Sequence, residues 1–325
     1  MVSKHMSLTG GLGQYPWNEG FGEAYDLDPE VAYNETCAAI ASILWSQNLL
    51  LMNNDAQYAD LIEWQLYNAA LVGIGITGET YLYNNPLEVN IDIQRRSWYS
   101  VPCCPSNLSR LIERTPEFSG HINENTLFID QYYPCDTDMV KIESNAPFGG
   151  KVLIVVKNPQ AIDRIKIRIP SWAVFEEEYS LKINGNKYLD LEANASEIRS
   201  STGYDPARAF YMDVTDFFTT SSQMILEFEL PVISRHPHPK SKSLIGKVAY
   251  TRGPLVYCAE TVDNQFFDPK NTRIKEEIPS LESTNIKNID IISFQFNAGS
   301  KLKMIPYMLW GNRGRSKMSV WLIKE

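Results

Sequence analysis

Apolar positions recur every three or four residues in the first part of the chain, which is the period of an amphipathic helix. The helical runs cover residues 32–51, 56–72 and 107–112. Asp28-Pro29-Glu30, just before the first run, is typical of a helix start because it combines a capping side chain, a proline and an early acid. The pattern therefore predicts three helices before about residue 118, with a loop or hairpin over 81–99.

Beyond residue 118 the apolar positions alternate with polar ones, which is the period of a half-buried strand. The predicted strands cover residues 126–133, 151–156, 165–169, 180–183 and 224–230. Asn184-Gly185 indicates a tight hairpin, and a further β segment starts near Val248 after a polar linker. The charged, aperiodic stretch 268–287 is expected to be an exposed loop. Short strands without helices between them favour antiparallel β-sandwich layers.

Composition narrows the range of functions. The chain has 325 residues, 44% of them hydrophobic, which fits a folded protein of two or three domains. Its formal net charge of −9 offers no basic surface for a nucleic acid or an anionic membrane. No apolar run is long enough to span a membrane, and the first residues show no signal peptide, so we expect a cytoplasmic protein.

Five cysteines, two of them adjacent, fit a metal or catalytic site better than a disulfide framework. Glu35 and Cys37 lie in the first turns of the first predicted helix, and Cys103 and Cys104 precede the third. Three thiolates and one carboxylate form a ligand set that tetrahedral zinc accepts. We expect Cys103 and Cys104 to share an ion only if their backbone is extended or turning. Two alternatives stay open: buried free cysteines, and a redox pair whose disulfide would be strained.

A glycine-flanked acidic loop over 18–23 is a second candidate site. Its carboxylates, Glu19 and Glu23, would ordinarily be solvated loop residues. Trp17 and Phe21 give Glu19 an aromatic setting, and such a loop lines a sugar-binding pocket as readily as it makes a plain turn. Glu19 is therefore the stronger candidate of the two for a functional carboxylate.

Taken together, these motifs resemble glycoside hydrolase family 127, the β-L-arabinofuranosidases and their relatives. The resemblance covers nearly the whole chain, and its specific part is Glu-Thr-Cys at 35–37 combined with Cys-Cys-Pro at 103–105. The segments that carry it are 9–13, 19–22, 25–27, 32–39, 103–107 and 110–111 in the helical part, and 168–172, 183–185, 252–257, 306–307 and 310–314 in the β part.

The family's fold implies an α+β multidomain chain: the C-terminal part of an (α/α)6 barrel over 1–118, then antiparallel β-sandwich domains over 119–232 and 233–325. A barrel of twelve helices needs more helices than the sequence predicts before residue 118. We therefore expect a fragment or split subunit that lacks the first part of the barrel. Its apolar helix faces would need a partner, either a chain supplying the missing helices or a second copy in a homodimer.

The resemblance also implies zinc as the cofactor, with Glu35, Cys37, Cys103 and Cys104 as its ligands. It implies Cys103 as the nucleophile and Glu19, sixteen residues before Glu35, as the acid/base. The implied reaction is retaining hydrolysis of a furanoside or oligosaccharide, such as one ending in β-L-arabinofuranose. We expect zinc binding ahead of turnover by this chain alone. The alternative is a non-catalytic carbohydrate-binding β-sandwich protein with a structural zinc site.

Overall fold

The computed structural model describes residues 1–175, 178–179, 181–188, 199–219, 221–298 and 300–325. Ser180, which the pattern places in a strand, lies outside this part. The α-helices of the described residues are α1 (Val2–His5), α2 (Thr36–Asn53), α3 (Ala56–Gln65) and α4 (Cys103–Arg114). None of the described helices is long and apolar enough to cross a bilayer.

Strands are numbered in chain order and make up most of the regular structure after α4. The earlier ones are β1 (Glu88–Ile93), β2 (Gly120–Asn123), β3 (Thr126–Ile129), β4 (Cys135–Asp136), β5 (Val140–Ser144), β6 (Lys151–Val156), β7 (Arg164–Ile169), β8 (Val174–Phe175), β9 (Glu178–Tyr179), β10 (Leu181–Ile183) and β11 (Asn186–Tyr188). The later ones are β12 (Arg199–Thr202), β13 (Phe210–Asp213), β14 (Gln223–Phe228), β15 (Val232–His236), β16 (Lys247–Arg252), β17 (Leu255–Glu260), β18 (Arg273–Ile274), β19 (Ser280–Ile286), β20 (Ile289–Ala298), β21 (Ser300–Pro306), β22 (Ser316–Ser319) and β23 (Leu322–Lys324).

Helix α2 begins at Thr36, four residues later than predicted. The Asp28 carboxylate accepts hydrogen bonds from the backbone N–H groups of Glu30 and Val31, at 2.9 and 3.1 Å, as a capping residue does. The turn that follows is not continued as a helix, because Asn34 adopts a left-handed backbone with φ of 41°. The start signal therefore marks an isolated turn, and the prediction of a helix from residue 32 is wrong.

The other two predicted helices are present with small differences. Helix α3 continues as a π turn, Leu66–Ala70, and a 3-10 turn, Leu71–Gly73, so the helical segment ends at the predicted glycine. Helix α4 begins at Cys103, so the cysteine pair belongs to its first turn. The three helices enclose a core formed by Ile40, Ile43, Leu50, Ile62, Leu108, Leu111 and Phe118.

Two sheets follow the helices and share one hydrophobic core. Their strand orders are β11-β10-β14-β6-β5-β4 and β13-β7-β3-β2. Alternate apolar side chains from both sheets meet, among them Ile129, Ile154, Ile167 and Leu226. Asn184 and Gly185 both have positive φ, 50° and 81°, and join β10 to β11, which confirms the predicted hairpin.

The last part of the chain builds an eleven-stranded sheet. Its main order is β12-β15-β16-β17-β21-β20-β19, and β1, β18, β22 and β23 pair along its side. Strand β1 lies in the segment 81–99 and pairs with β22, so this segment is more than a loop or hairpin. The prediction of an exposed loop over 268–287 is also wrong, because β19 pairs with β20 along its full length. Strand β19 is an edge strand whose side chains are mostly exposed, so its sequence lacks the alternation of apolar and polar residues that predicts a strand.

The eleven-stranded sheet also includes strands from outside residues 233–325. Strand β1 comes from the helical part of the chain and pairs with β22. Strand β12 comes from the middle of the chain and pairs in parallel with β15. The molecule is thus a mixed α+β protein with many strands and few helices among its described residues. The division into a barrel and two sandwiches stays a prediction.

Buried ion pairs fix α3 to the sheet that contains β7. Arg168 on β7 lies 2.8 Å from the Asp60 carboxylate and 3.0 Å from that of Glu63, with all three side chains almost wholly buried. Burial raises the pKa of Asp60, while Arg168 opposes that rise. The helices therefore hold a defined position against the sheet that follows them.

Candidate metal centre and active site

The N-termini of α2 and α4 meet at one point. Glu35 is the residue before α2, Cys37 is the second residue of that helix, and Cys103 and Cys104 are the first two residues of α4. One ligand atom from each of these four residues lies within 4.8 Å of the others. The structure thus brings together the four residues that the sequence motifs suggested as ligands.

Four of the six separations between these atoms fit the edges of a tetrahedral metal site. The Cys104 sulfur lies 3.4 Å from that of Cys37 and 3.8 Å from that of Cys103. Glu35 Oε1 lies 3.7 Å from the Cys103 sulfur and 3.8 Å from the Cys104 sulfur. Zinc bond lengths of about 2.0–2.3 Å give a tetrahedron with edges of about 3.3–3.8 Å. The donor set, one carboxylate and three thiols, also suits zinc.

The backbone of the cysteine pair differs from the expectation. Cys103 and Cys104 are helical rather than extended. Their sulfurs still converge because the ligand atoms gather at the helix start, where side chains lean toward the N-terminus.

Burial controls the protonation of the thiols. It raises the pKa of Cys37 to about 11, although a hydrogen bond from Asn107 lowers it, and it raises the pKa of Cys104 above its usual range. Without a cation these thiols therefore stay protonated at neutral pH. Metal binding reverses this preference because the thiolate is the form that binds the ion.

Several groups compensate negative charge at the cluster. The first turns of α2 and α4 present the positive ends of two helix dipoles. Asn107 Nδ2 donates to the Cys37 sulfur at 3.0 Å, and Arg110 donates to the amide oxygen of Asn107. Neither donor was among the predicted site residues, although both lie in segments that carry the family resemblance, 103–107 and 110–111.

Tyr83 is the main residue of the site that the sequence motifs did not reveal. Its hydroxyl oxygen lies 3.1 Å from the Cys103 sulfur, and its backbone carbonyl oxygen lies 3.8 Å from the Cys104 sulfur. The same carbonyl accepts from the Thr36 N–H at 3.0 Å, which ties it to the start of α2. The hydrogen bond with Cys103, together with burial, raises the pKa of Tyr83, so its hydroxyl keeps its proton. The only signal in the sequence is an aromatic alternation at 81–83 before Asn-Asn-Pro.

Glu19 lies in an exposed loop, and two tyrosines, Tyr33 and Tyr83, connect it to the cluster. Its Oε1 accepts from the Tyr33 hydroxyl at 2.9 Å, and the Tyr33 ring packs 6.3 Å from the Tyr83 ring between centroids. Glu19 has a left-handed backbone with φ of 50°. Glu23 is also exposed, and its backbone carbonyl accepts from Gln14 Nε2 at 3.0 Å. The catalytic roles of Glu19 and Cys103 stay predictions.

Family comparisons agree with the motifs. Residues 1–117 match the family model of the β-L-arabinofuranosidase GH127 catalytic domain. Residues 232–323 match the family model of the glycoside hydrolase family 127 C-terminal domain. The chain belongs to glycoside hydrolase family 127.

Relatives of known activity extend well beyond this chain. The non-reducing end β-L-arabinofuranosidase of Bifidobacterium longum subsp. longum is 27% identical over 99% of this chain and 54% of its own length. The crystal structure of a GH127 β-L-arabinofuranosidase from Geobacillus stearothermophilus T6 is 27% identical with a TM-score of 0.79, covering 100% of this chain and 55% of the other. A second GH127 β-arabinofuranosidase structure is 26% identical with a TM-score of 0.76, covering 100% of this chain and 54% of the other. The chain thus spans about half the length of these relatives.

Proposed function

We propose that this chain carries the metal centre and the catalytic pair of a retaining glycoside hydrolase of the β-L-arabinofuranosidase type. The observation that carries the proposal is the position of the Cys103 sulfur. It lies among three other potential metal ligands and within 3.1 Å of the Tyr83 hydroxyl. The names of the relatives, which include β-L-arabinofuranosidases, support the same reaction class.

Zinc is the proposed cofactor, and Glu35, Cys37, Cys103 and Cys104 are the residues that would hold it. When bound, it keeps the thiols deprotonated at neutral pH and supplies positive charge. The nearby helix N-termini, together with Asn107, offset the charge that remains.

Glu19 and Cys103 divide the chemistry between them. In the first step the Cys103 sulfur attacks the anomeric carbon, the glycosidic C–O bond breaks, and the Glu19 carboxylic acid donates its proton to the departing oxygen. In the second step the Glu19 carboxylate takes a proton from water, the water oxygen attacks the same carbon, and the C–S bond breaks. The result is hydrolysis with retained configuration and a regenerated thiolate.

Two tyrosines hold this pair in place. The Tyr33 hydroxyl donates to Glu19 and keeps its carboxylate oriented. Burial and the Glu19 contact raise the pKa of Tyr33, so this donor is present throughout the neutral range. The Tyr83 hydroxyl is placed to donate to the Cys103 sulfur when the latter is a thiolate. The proposed substrate class is a furanoside or oligosaccharide ending in β-L-arabinofuranose.

A partner surface is part of the proposal. Helix α2 contains no charged residue over Thr36–Asn53, yet Trp45, Leu51 and Met52 are exposed. A group of exposed large apolar side chains on one element typically marks an interaction surface. We propose that further helices, supplied by another polypeptide segment, cover this face and complete the sugar-binding wall. A second copy of the chain is the other candidate.

The non-catalytic alternative remains a second candidate because the chain spans about half the length of the relatives with named activity. In that case the cluster would be a structural zinc site, and the β layers would bind carbohydrate. Both candidates predict bound zinc, so metal content alone does not separate them.

Substitution of Glu19 separates the two candidates. We expect Glu19→Gln to lower hydrolysis of an aryl β-L-arabinofuranoside by about 10²–10⁴-fold, while zinc stays bound. Glu23→Gln, four residues along the same exposed loop, is the matched control and should keep its activity. Bound zinc without hydrolysis in the unsubstituted chain would favour the structural site. Equal activity in the Glu19 and Glu23 variants would exclude Glu19 as the acid/base.

A further inference from the structure

A turn of the eleven-stranded sheet packs against the segments that form the metal centre. This turn, 307–312, follows strand β21. The Tyr307 hydroxyl donates to the carbonyl oxygen of Pro86 at 3.0 Å. The Asn312 amide oxygen accepts from the Ile76 N–H at 2.9 Å. The last β region therefore contacts the chain on both sides of Tyr83.

Arg95 makes the most extensive of these contacts. Its Nε and Nη2 donate to the Trp310 carbonyl oxygen at 3.1 and 2.8 Å, and its Nη1 donates to the Val72 carbonyl oxygen at 2.7 Å. The side chain is 5% exposed, and burial lowers its pKa to about 10, so the guanidinium stays charged at neutral pH. All three bonds go to carbonyl oxygens. Burial of a charge is costly unless its polar groups are paired, so these three hydrogen bonds hold the guanidinium at a defined position between the two carbonyl groups.

A set of hydrogen bonds that begins at the residue after this arginine leads to the cysteine pair. Arg96, the next residue, exchanges backbone hydrogen bonds with Tyr81 at 2.7 and 3.0 Å. The Tyr99 hydroxyl donates to the Tyr81 carbonyl at 3.2 Å and accepts from the Tyr83 N–H at 3.1 Å. Tyr83 in turn contacts the Cys103 sulfur. Arg96 and Tyr99 lie in the segment between Arg95 and the start of α4, and Tyr81 and Tyr83 are hydrogen-bonded to that segment.

We propose that Arg95 is a positioning residue of the metal centre, which transmits the position of the 307–312 turn to Cys103 through Tyr81, Tyr99 and Tyr83. This inference rests on the proposed metal centre. It gives the last β region a role in the geometry of the reactive sulfur. Removing the guanidinium frees the 95–102 segment and lets Tyr83 and Cys103 move relative to Glu35.

Cobalt(II), loaded in place of zinc, gives a direct readout of this geometry because its visible absorption reports the coordination of the ion. We expect Arg95→Met to change that spectrum and to weaken metal affinity, measured by competition with a chelator, by at least about tenfold. The cobalt spectrum and the metal affinity of Arg95→Lys should lie between those of Arg95→Met and those of the unsubstituted protein, since an ammonium group still donates to a carbonyl oxygen.

Arg235 is the matched control. It is also buried, and it donates to Thr251 Oγ1 and to the Gly203 carbonyl oxygen, at 3.1 and 2.9 Å, away from the cluster. Arg235→Met should lower the unfolding temperature as Arg95→Met does, yet leave the cobalt spectrum and the metal affinity unchanged.

The outcomes separate this inference from the proposed function. An unsubstituted chain that binds neither zinc nor cobalt overturns the metal centre and the role of Arg95 with it. A normal cobalt spectrum in the unsubstituted protein and in both Arg95 variants overturns the role of Arg95 alone. If Arg95→Met does not fold, the comparison of Arg95→Lys with the unsubstituted protein decides: a changed spectrum supports the role, and an unchanged one overturns it.

Discussion

The sulfur atoms of Cys37 and Cys104 lie 3.4 Å apart although 67 positions separate the two residues in the chain. Each is the second residue of a helix, Cys37 of α2 and Cys104 of α4. Two helix N-termini therefore face one point, where their dipoles favour negative charge. This arrangement explains how a cluster of three thiols and a carboxylate can bind a divalent ion although, among the described residues, no lysine or arginine contacts the sulfurs directly.

Asn107 should tune the affinity of the cluster for zinc. Its Nδ2 donates to the Cys37 sulfur at 3.0 Å, so Asn107→Ala removes a hydrogen bond to a proposed ligand. We expect zinc affinity, measured by chelator competition, to fall by about tenfold or more. Ser109→Ala, on the same helix with its hydroxyl bound to the Pro105 carbonyl, is the control and should have no effect. Equal affinities in both variants would show that the Asn107 contact is unimportant.

Arg168 should be essential for the position of α3 against the sheet. Arg168→Met leaves the Asp60 and Glu63 carboxylates buried without their cation. Loss of one partner of such a buried pair costs about 3–5 kcal/mol of unfolding free energy, which urea unfolding measures. Arg114→Met removes an exposed pair with Glu117 and should leave the unfolding midpoint nearly unchanged. Similar midpoints for the two variants would contradict the role of the buried network.

Glu276 should make stability depend on pH in the acid range. Burial opposes its ionisation, but hydrogen bonds with Lys324, at 2.6 Å, and with Ser234 outweigh burial. Together with His236, at 2.8 Å, they hold the pKa of Glu276 below the ordinary 4.5. A lowered pKa in the folded state adds stability above pH 4.5, and this stability is lost as the pH falls through the folded value.

Glu276→Gln should therefore unfold at a lower temperature than the unsubstituted protein at pH 7, and the difference should shrink as the pH falls below 4.5 through the lowered pKa of Glu276. Thermal unfolding followed at several pH values measures this. Glu282→Gln on the exposed edge strand β19 serves as the control. A difference that is constant across this pH range would mean that the contacts of the Glu276 carboxylate do not cause it.

The exposed face of α2 should drive association. Trp45 and Met52 are 59% and 77% exposed on a helix without charges. Replacing both with glutamate should increase the monomeric fraction in sedimentation velocity experiments, because charge prevents burial of this face. Ile245→Glu changes an isolated apolar side chain, 65% exposed, and should not alter the distribution. A purely monomeric unsubstituted protein would contradict a self-association surface and leave only a different partner.

The ligand set was accessible from the sequence because its members occur in short motifs. Glu-x-Cys and Cys-Cys-Pro each place ligands at a helix start, and their residue types suffice to suggest zinc. The helix start itself was misplaced, since Asp28 caps a turn that Asn34 interrupts with a left-handed backbone. Local signals identified a turn correctly but could not tell how far it would continue.

The supporting residues were not accessible for a different reason. Tyr83 and Arg95 act through contacts with residues remote in sequence, Cys103 in one case and Trp310 in the other. No local periodicity encodes such contacts, because they depend on how the segment 81–99 lies between α4 and the last sheet. The pairing of strand β1, in the same segment, was not predicted for the same reason, since its partner β22 lies near the end of the chain.

The zinc content of the purified protein tests the metal centre most directly. After purification without chelators we expect about one zinc per chain in the unsubstituted protein and in Cys135→Ser, whose thiol lies outside the cluster, and loss of zinc in Cys104→Ser. A content below about 0.1 zinc per chain in the unsubstituted protein, or full zinc retention in Cys104→Ser, would contradict the four-ligand site.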